Sequence, residues 1–261
     1  MNPAELNHVF SALIQEGRSE QVYQDFLEAN SELIPREFVQ NHGIHFSLVL
    51  RKLGLARDYT TDFFYLAKSS ATWHCVLVEI EKPQSPYFRE GTADLHADFR
   101  VALDQVARWR AWFADEHNFE GFVNGTIRPL RIPITMTANP CYIKYVLVTG
   151  RRSEYEQNEQ RRRLISAHER EDFHILSYDS LLEDLHSKMP LYVAARHNEG
   201  VDILSDRFAG ESLFSWMPPE RLRISNALRE DIVRHRAEWF HKRAIDRFTL
   251  DEVLPRVPVL A

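Results

Sequence analysis

The stretch HCVLVEIEKP, from His74 to Pro83, decides the fold because it is apolar along most of its length and acidic at its far end. Four consecutive apolar residues, Cys75 to Val78, followed by Ile80, predict a strand in the protein core. Glu79 and Glu81 flank Ile80. Side chains two residues apart lie on the same face of a strand, so both carboxylates are expected to point the same way.

The residues around this strand predict further strands and helices. An aromatic and β-branched run, 59–67, predicts a strand that pairs antiparallel with 73–82. Residues 94–116 have the spacing of a long amphipathic helix. Its apolar face comprises Leu95, Phe99, Ala102, Val106, Trp109 and Phe113. A strand, a helix and a strand follow between residues 141 and 176, and this alternation indicates an α/β fold.

Both ends of the chain have helical patterns. Two helices are predicted in the first 35 residues, separated by Gly17. A long charged helix is predicted over 224–248, near the C-terminus. The regions 37–53 and 124–140 fit more than one kind of structure, and the sequence does not decide between them.

Composition excludes several classes of protein. The chain has 261 residues, 44% of them hydrophobic and 27% charged, with a net charge of −6. A protein that coats nucleic acid would be basic overall, so any contact with DNA must use a local patch. No apolar run approaches the length of a membrane span, and the N-terminus lacks the pattern of a secretory signal.

Common cofactor and nucleophile motifs are missing as well. Cys75 and Cys141 form no CxxC pair, which argues against a disulfide scaffold or a cysteine-rich zinc site and suits reduced thiols in the cytoplasm. The sequence contains no HExxH, GxSxG, GxGxxG or Walker A pattern. A zinc protease, a serine hydrolase and a nucleotide-binding protein are therefore not predicted.

Three carboxylates are expected to converge at the end of the predicted strand pair. If 59–67 pairs with 73–82, Asp62 approaches Glu79 and Glu81. Carboxylate oxygens at one point suit Mg²⁺ or Mn²⁺, which can activate water for attack on a phosphodiester. The alternative is that these acids are only solvent-facing charge, which edge strands often carry.

An ordered set of motifs resembles one known family. These are DF at 62–63, VEIEKP at 78–83, ALDQVARWRAWF at 102–113, YVLVTGRRSEYEQNEQRRRL at 145–164 and FHILSYDSLLEDL at 173–185. They look like the nuclease domain of the Shedu anti-phage defence family, a branch of the PD-(D/E)xK restriction-endonuclease-like superfamily. The resemblance covers roughly residues 20–187.

The resemblance implies a role for each matching residue. Asp62 and Glu79 match the family's metal-binding acids, and Gln105 matches a glutamine that helps to complete the active site. The lysine expected two positions after Glu79 is here Glu81, which is then a further metal ligand or a base acting through water. Lys82 is displaced by one residue and faces the wrong side unless the strand bulges.

The resemblance also implies a fold and an activity. It implies a restriction-endonuclease-like central mixed sheet flanked by helices over 1–187, with a mostly helical extension over 188–261 for DNA contact or oligomerisation. It implies a cytoplasmic, Mg²⁺- or Mn²⁺-dependent DNA endonuclease, assembled as a homo-oligomer such as a dimer or tetramer. Because Glu81 replaces the lysine, a catalytically impaired scaffold or nucleic-acid-binding module is the alternative.

Two groups of basic residues are candidates for contact with DNA phosphates. Arg151 and Arg152 follow a predicted strand and a glycine. The second group lies in the C-terminal helix and includes Arg234, Arg236, Lys242 and Arg243. Alternatively, the first group belongs to ion pairs with neighbouring acids, and the second packs against another subunit.

Overall fold

An eight-stranded mixed sheet organises the computed structural model, which describes residues 1–236 and 249–260. Helices cover both faces of this sheet, so the predicted α/β fold with a central mixed sheet is confirmed. No helix in the described ranges is long and apolar enough to cross a bilayer. Lys242 and Arg243, predicted to contact DNA, lie outside the described residues.

The strands fall into a large sheet and a short two-stranded ribbon. They are β1 (Ile44–Arg51), β2 (Gly54–Leu55), β3 (Tyr59–Thr60), β4 (Phe63–Lys68), β5 (Trp73–Ile80), β6 (Cys141–Val148), β7 (Phe173–Leu176), β8 (Tyr192–His197), β9 (Gly200–Ile203) and β10 (Leu222–Ile224). The order in the large sheet is β10-β9-β8-β1-β4-β5-β6-β7, and β2 pairs with β3. β4 is antiparallel to β1 and β5, whereas β6 and β8 are parallel to their inner neighbours β5 and β1.

The α-helices differ widely in length. They are α1 (Pro3–Gln15), α2 (Glu20–Ala29), α3 (Ala97–Ala114), α4 (Glu116–Gly121), α5 (Glu159–Ser166), α6 (Tyr178–Leu181), α7 (Ser212–Trp216), α8 (Asn226–Arg234) and α9 (Leu250–Val253). The predicted amphipathic helix corresponds to α3, and every predicted apolar residue within it is buried. The two helices predicted at the N-terminus are α1 and α2.

The two faces of β5 pack against different helices. Cys75 and Leu77 belong to the core cluster that contains the apolar face of α3. Val76 and Val78 belong to the second cluster, with α1 and α2 on the opposite face. β5 is therefore buried on both sides, which explains its nearly continuous apolar sequence. Glu79 continues the Cys75–Leu77 face, so it lies on the α3 side of the sheet.

The structure differs from the sequence prediction in two regions. The predicted strand 59–67 is divided into β3 and β4, and Asp62 lies in the break between them. The described part of 188–260, which was predicted to be mostly helical, adds β8, β9 and β10 to the sheet. The apolar runs of these strands are too short for periodicity to distinguish them from helix. The division of the chain at residue 187 stays a prediction.

Gly150 fixes the loop that follows β5 against the end of β6. Its φ is +58°, and a Cβ there would lie 2.5 Å from the ring of Tyr87 and 2.9 Å from the carbonyl oxygen of Ser85. The Gly150 amide donates to the Lys82 carbonyl at 3.4 Å. Only glycine combines this backbone with this close approach. The chain therefore leaves the acidic end of β5 in a defined direction.

Candidate active site at the sheet edge

Asp62 is fixed against the end of β5. Continuing the β4–β5 register one residue beyond the Phe63–Val78 pair places Asp62 opposite Glu79. Asp62 is 5% exposed, and its Oδ2 accepts a hydrogen bond from the Ile80 amide at 2.8 Å. This hydrogen bond to a backbone N–H holds the carboxylate in position. The structure thus brings Asp62 to the acidic end of β5, as predicted.

Glu79 and Glu81 lie where burial and neighbouring acids disfavour negative charge more than nearby cations favour it. Burial raises the pKa of Glu79 well above its ordinary value, and the charges of Asp62 and Glu81 raise it further. Burial also raises the pKa of Glu81 to about 7, with Glu20 and Asp62 adding to the effect. Carboxylates with pKa values shifted this way mark candidate functional sites.

Glu20, at the start of α2, was missed by the sequence prediction. Its pKa is raised by burial first and by the charge of Asp62 next, so α2 brings a further acid to this edge. Glu20 also raises the pKa of Glu81. It is separated from the other acids by more than 40 residues of sequence. Only the packing of α2 on the sheet reveals it.

Lys52 was also missed, and it contacts the site directly. Its Nζ lies 2.6 Å from Asp62 Oδ1, and its amide donates to the Asp62 carbonyl at 3.0 Å. Its φ is +47°, a left-handed backbone conformation that a non-glycine residue adopts at a cost of order 1 kcal/mol. Lys82 is exposed and follows the end of β5, where its charge offsets part of the rise that burial causes in the pKa of Glu81.

Gln105 lies on the helix that covers this face of the sheet. It is half-buried on α3, between the buried residues Ala102 and Val106. Within the described residues it makes no hydrogen bond to Asp62, Glu79 or Glu81. The structure therefore places Gln105 on the same side of the sheet as Glu79, without a hydrogen bond to the carboxylates, and its role stays a prediction.

The carboxylate oxygens at this site are the type of ligand that binds a divalent cation. Asp62, Glu79 and Glu81 supply the hard oxygen ligands that Mg²⁺ and Mn²⁺ prefer, and a cation would offset the burial and the repulsion that raise the pKa values of the glutamates. Across residues 1–236 and 249–260, no three acidic, histidine or cysteine side chains lie close enough together to hold a metal ion. Binding would therefore require these side chains to move closer together.

The arginines predicted to contact DNA are engaged in ion pairs. Arg151 Nη2 lies 2.8 Å from Asp179 Oδ1, and the Arg152 amide donates to Asp179 Oδ2 at 2.7 Å. Burial alone would raise the pKa of Asp179, but these contacts lower it overall. The Arg152 guanidinium pairs with Glu183. Both arginines thus form ion pairs, as the alternative interpretation expected, but with acids of α6 and the residues after it rather than with the acids near them in the sequence.

The described arginines of the C-terminal group are paired in the same way. Arg234 Nη2 lies 2.8 Å from Asp231 Oδ1, and Arg236 Nη2 lies 2.6 Å from Asp251 Oδ1. Both arginines are exposed, and exposed pairs are easily exchanged for other partners. Their contact with DNA stays a prediction.

The fold and the site together define a class of protein: a mixed α/β sheet that gathers carboxylates where two antiparallel central strands meet, beneath a long helix. A family model for the C-terminal domain of the Shedu protein SduA matches residues 17–182. The chain therefore belongs to this family of defence-system nucleases. A search of curated proteins found no match. The matched range contains Lys52, Asp62, Glu79, Glu81 and Gln105.

Proposed function

We propose that this protein is a Mg²⁺- or Mn²⁺-dependent DNA endonuclease that acts in anti-phage defence. The observation that carries the proposal is the set of incompletely compensated carboxylates, Glu79 and Glu81, beside the fixed Asp62 in a chain of this family. A structural carboxylate would gain stability from a close cationic partner, whereas these two are held in an environment that disfavours their charge.

The carboxylates would have distinct roles. Asp62 and Glu79 would hold the cation, and Glu81 would join them or accept a proton from water, for which a pKa of about 7 is well placed. A bound divalent cation lowers the pKa of water and stabilises charge on a phosphodiester. Gln105 would orient water or phosphate from α3. Lys82 would neutralise charge at the rim.

Hydrolysis of DNA tests the proposal. We expect the purified protein to nick or cut supercoiled plasmid or linear duplex DNA when Mg²⁺ or Mn²⁺ is present, and to leave both intact when EDTA is added. Agarose gels follow the conversion of each substrate with time. If DNA is degraded equally well in EDTA, the cation has no part in the reaction and the assigned roles are wrong.

We propose that Lys52 takes the role of the family's lysine, whose position in this sequence is occupied by Glu81. It contacts Asp62 from the end of β1, so it can stabilise charge at the same edge from the neighbouring strand. We expect Lys52→Met to lower the cleavage rate by about 10- to 100-fold, the range typical of residues that support metal ligands. Lys82→Met removes the same charge from the exposed position after β5 and is the variant with which it is compared.

The comparison of the two lysine variants decides which lysine acts. A larger loss in Lys82→Met than in Lys52→Met would return the role to the position nearest to the family motif. Circular dichroism and urea unfolding of both variants separate a catalytic effect from misfolding, because Lys52 also neutralises the buried Asp62.

A non-catalytic module is the second candidate. It is favoured by the spacing of the acids, since no three in the described ranges are close enough to share a cation. A protein of this kind would bind DNA without hydrolysing it in any divalent cation. Assembly into a dimer or tetramer is proposed for either function, and analytical ultracentrifugation measures it directly.

A further inference from the structure

A basic cleft adjoins the carboxylate edge, by which we mean the strand ends that carry Asp62, Glu79 and Glu81. A cavity of about 1080 Å³ is lined by residues between Gly121 and Thr137 and by the β8–β9 turn. A smaller hollow of about 410 Å³ extends from it to Arg51 and Lys52, and the two share Thr126 and Arg196. The basic cleft comprises both hollows. Its cations are Arg51, Lys52, Arg128, Arg131, Arg196 and Arg221. Two of them are paired with acids outside the basic cleft, Arg51 with Glu28 at 3.0 Å and Lys52 with Asp62.

The charge of the basic cleft opposes that of the chain. The protein carries a net charge of −6, yet six cations line the basic cleft against one carboxylate, Glu199. Clefts lined by one sign of charge concentrate ligands of the opposite sign. The basic cleft is thus the kind of local patch that an acidic chain needs in order to bind a polyanion.

Two of these cations are available to a ligand. Arg128 and Arg196 are exposed, and within the described residues neither makes an ion pair or a side-chain hydrogen bond. Arg221 is held by Glu199 at 3.3 Å, a loose pair in which an incoming phosphate could compete. The basic cleft thus differs from Arg151 and Arg152, whose guanidinium groups are already paired with Asp179 and Glu183.

Arg131 adds a positive charge beneath the basic cleft. It is 2% exposed, and its guanidinium donates to backbone carbonyls, including that of Asn139 at 3.0 Å. Its Nε has no hydrogen-bond partner in the described structure. A buried cation without a carboxylate partner is costly, so an anion in the basic cleft would stabilise it.

The strand register connects the basic cleft to the candidate active site. Lys52 hydrogen-bonds to Asp62 across β1 and β4, and Asp62 lies opposite Glu79 on β5. Continuing the parallel β1–β8 register places Arg196 beside Lys52. Arg196, Lys52, Asp62 and Glu79 thus form one row across four neighbouring strands.

We propose that the basic cleft binds the sugar–phosphate backbone of the DNA strand that leads away from the carboxylate edge. This inference rests on the nuclease function proposed above and adds the surface that positions the substrate. DNA is favoured over an acidic peptide because the row is continuous with the acids that would act on a phosphodiester. Repeating phosphates also match cations that extend over two joined hollows.

The test is a binding measurement without catalysis. Fluorescence anisotropy of a short labelled duplex, in EDTA, compares wild type with the double variant Arg128→Ser, Arg196→Ser. We expect the variant to bind about tenfold or more weakly. The slope of log K against log salt should fall by about 2, because each lost phosphate contact removes about 0.9 from it. Plasmid cleavage should slow in parallel.

The control variant is Arg162→Ser, Arg163→Ser in α5. This helix connects β6 to β7, the last strand of the sheet on the side away from β8. The control variant removes the same net charge from exposed positions, so equal weakening in both variants would assign the effect to overall charge and overturn the proposal. Wild-type binding and cutting by the basic-cleft variant would also overturn it, while leaving the nuclease function intact. A wild-type protein that neither binds nor cuts DNA would overturn both.

Discussion

Replacing Glu79 with glutamine is expected to lower the rate of DNA cleavage by more than about 100-fold, because even residues that only support metal ligands cost 10- to 100-fold. Glutamine keeps the size of the side chain and one acceptor oxygen, but it removes the negative charge. Asp62 would remain, fixed by the Ile80 amide and by Lys52. A site left with one fewer anionic oxygen would bind a divalent cation weakly.

The measurement is plasmid cleavage over a range of Mg²⁺ and Mn²⁺ concentrations. Glu90→Gln is the matched control, because it removes the same charge from an exposed position in the loop before α3. Partial recovery of Glu79→Gln at high cation concentration would indicate weakened metal binding. Wild-type rates at every concentration would remove Glu79 from the site and with it the central support for the nuclease.

Binding of DNA separates a lost reaction from a lost fold. We expect Glu79→Gln to bind the labelled duplex at least as well as wild type in EDTA, since an acid near the phosphate path has been removed. A variant that fails both to cut and to bind would instead point to misfolding. Circular dichroism of Glu79→Gln and Glu90→Gln checks directly whether each variant is folded.

The elements with long or well-bounded patterns were predicted from sequence. The apolar face of α3 repeats over the 18 residues of the helix, so its period could be recognised without any tertiary information. β5 was recognised from a continuous apolar run that ends at a proline. The pairing of β4 with β5 followed from their closeness in the chain. From these elements the sequence predicted that Asp62 and Glu79 lie close together at one end of the β4–β5 pair.

The remainder of the site depends on contacts between distant parts of the chain. Lys52 reaches Asp62 because β1 pairs with β4, and residues around β1 had no decisive pattern. Glu20 arrives through the packing of α2 on the sheet, which no motif encodes. The basic cleft requires β8 beside β1, a parallel contact over more than 140 residues. The sequence showed these charges, but not which of them lie together.

The arginines illustrate the same limit from the opposite side. Arg151 and Arg152 looked available because they follow a strand and a glycine, the position of many phosphate-binding groups. In the structure Asp179 and Glu183 occupy them. Arg128 and Arg196 have no such partners within the described residues, yet each is an isolated arginine in the sequence. Whether an arginine is free to bind a phosphate therefore depends on which acids the fold places beside it.

Replacing Glu81 with glutamine is expected to raise the free energy of unfolding at pH 8 by about 1–2 kcal/mol, without a comparable gain at pH 5. The pKa of Glu81 is raised from 4.5 to about 7 in the folded protein, so at pH 8 the folded state carries a charge that its surroundings disfavour, whereas at pH 5 it keeps its proton. A tenfold change in proton affinity corresponds to about 1.4 kcal/mol. The expected gain in stability is smaller than the whole pKa shift would give, because solvent screens the charge of a half-buried group.

The sign of the effect follows from which state binds more protons. Between pH 4.5 and 7 the folded protein binds more protons at Glu81 than the unfolded chain, so wild-type stability falls as the pH rises through this window. Glutamine does not ionise, so this pH-dependent loss of stability does not occur in the variant. Urea unfolding in EDTA at both pH values measures the difference, with Glu90→Gln as control. An equal gain at pH 5 and pH 8 would show that Glu81→Gln stabilises the fold by packing, and that burial of charge at the sheet edge is not its cause.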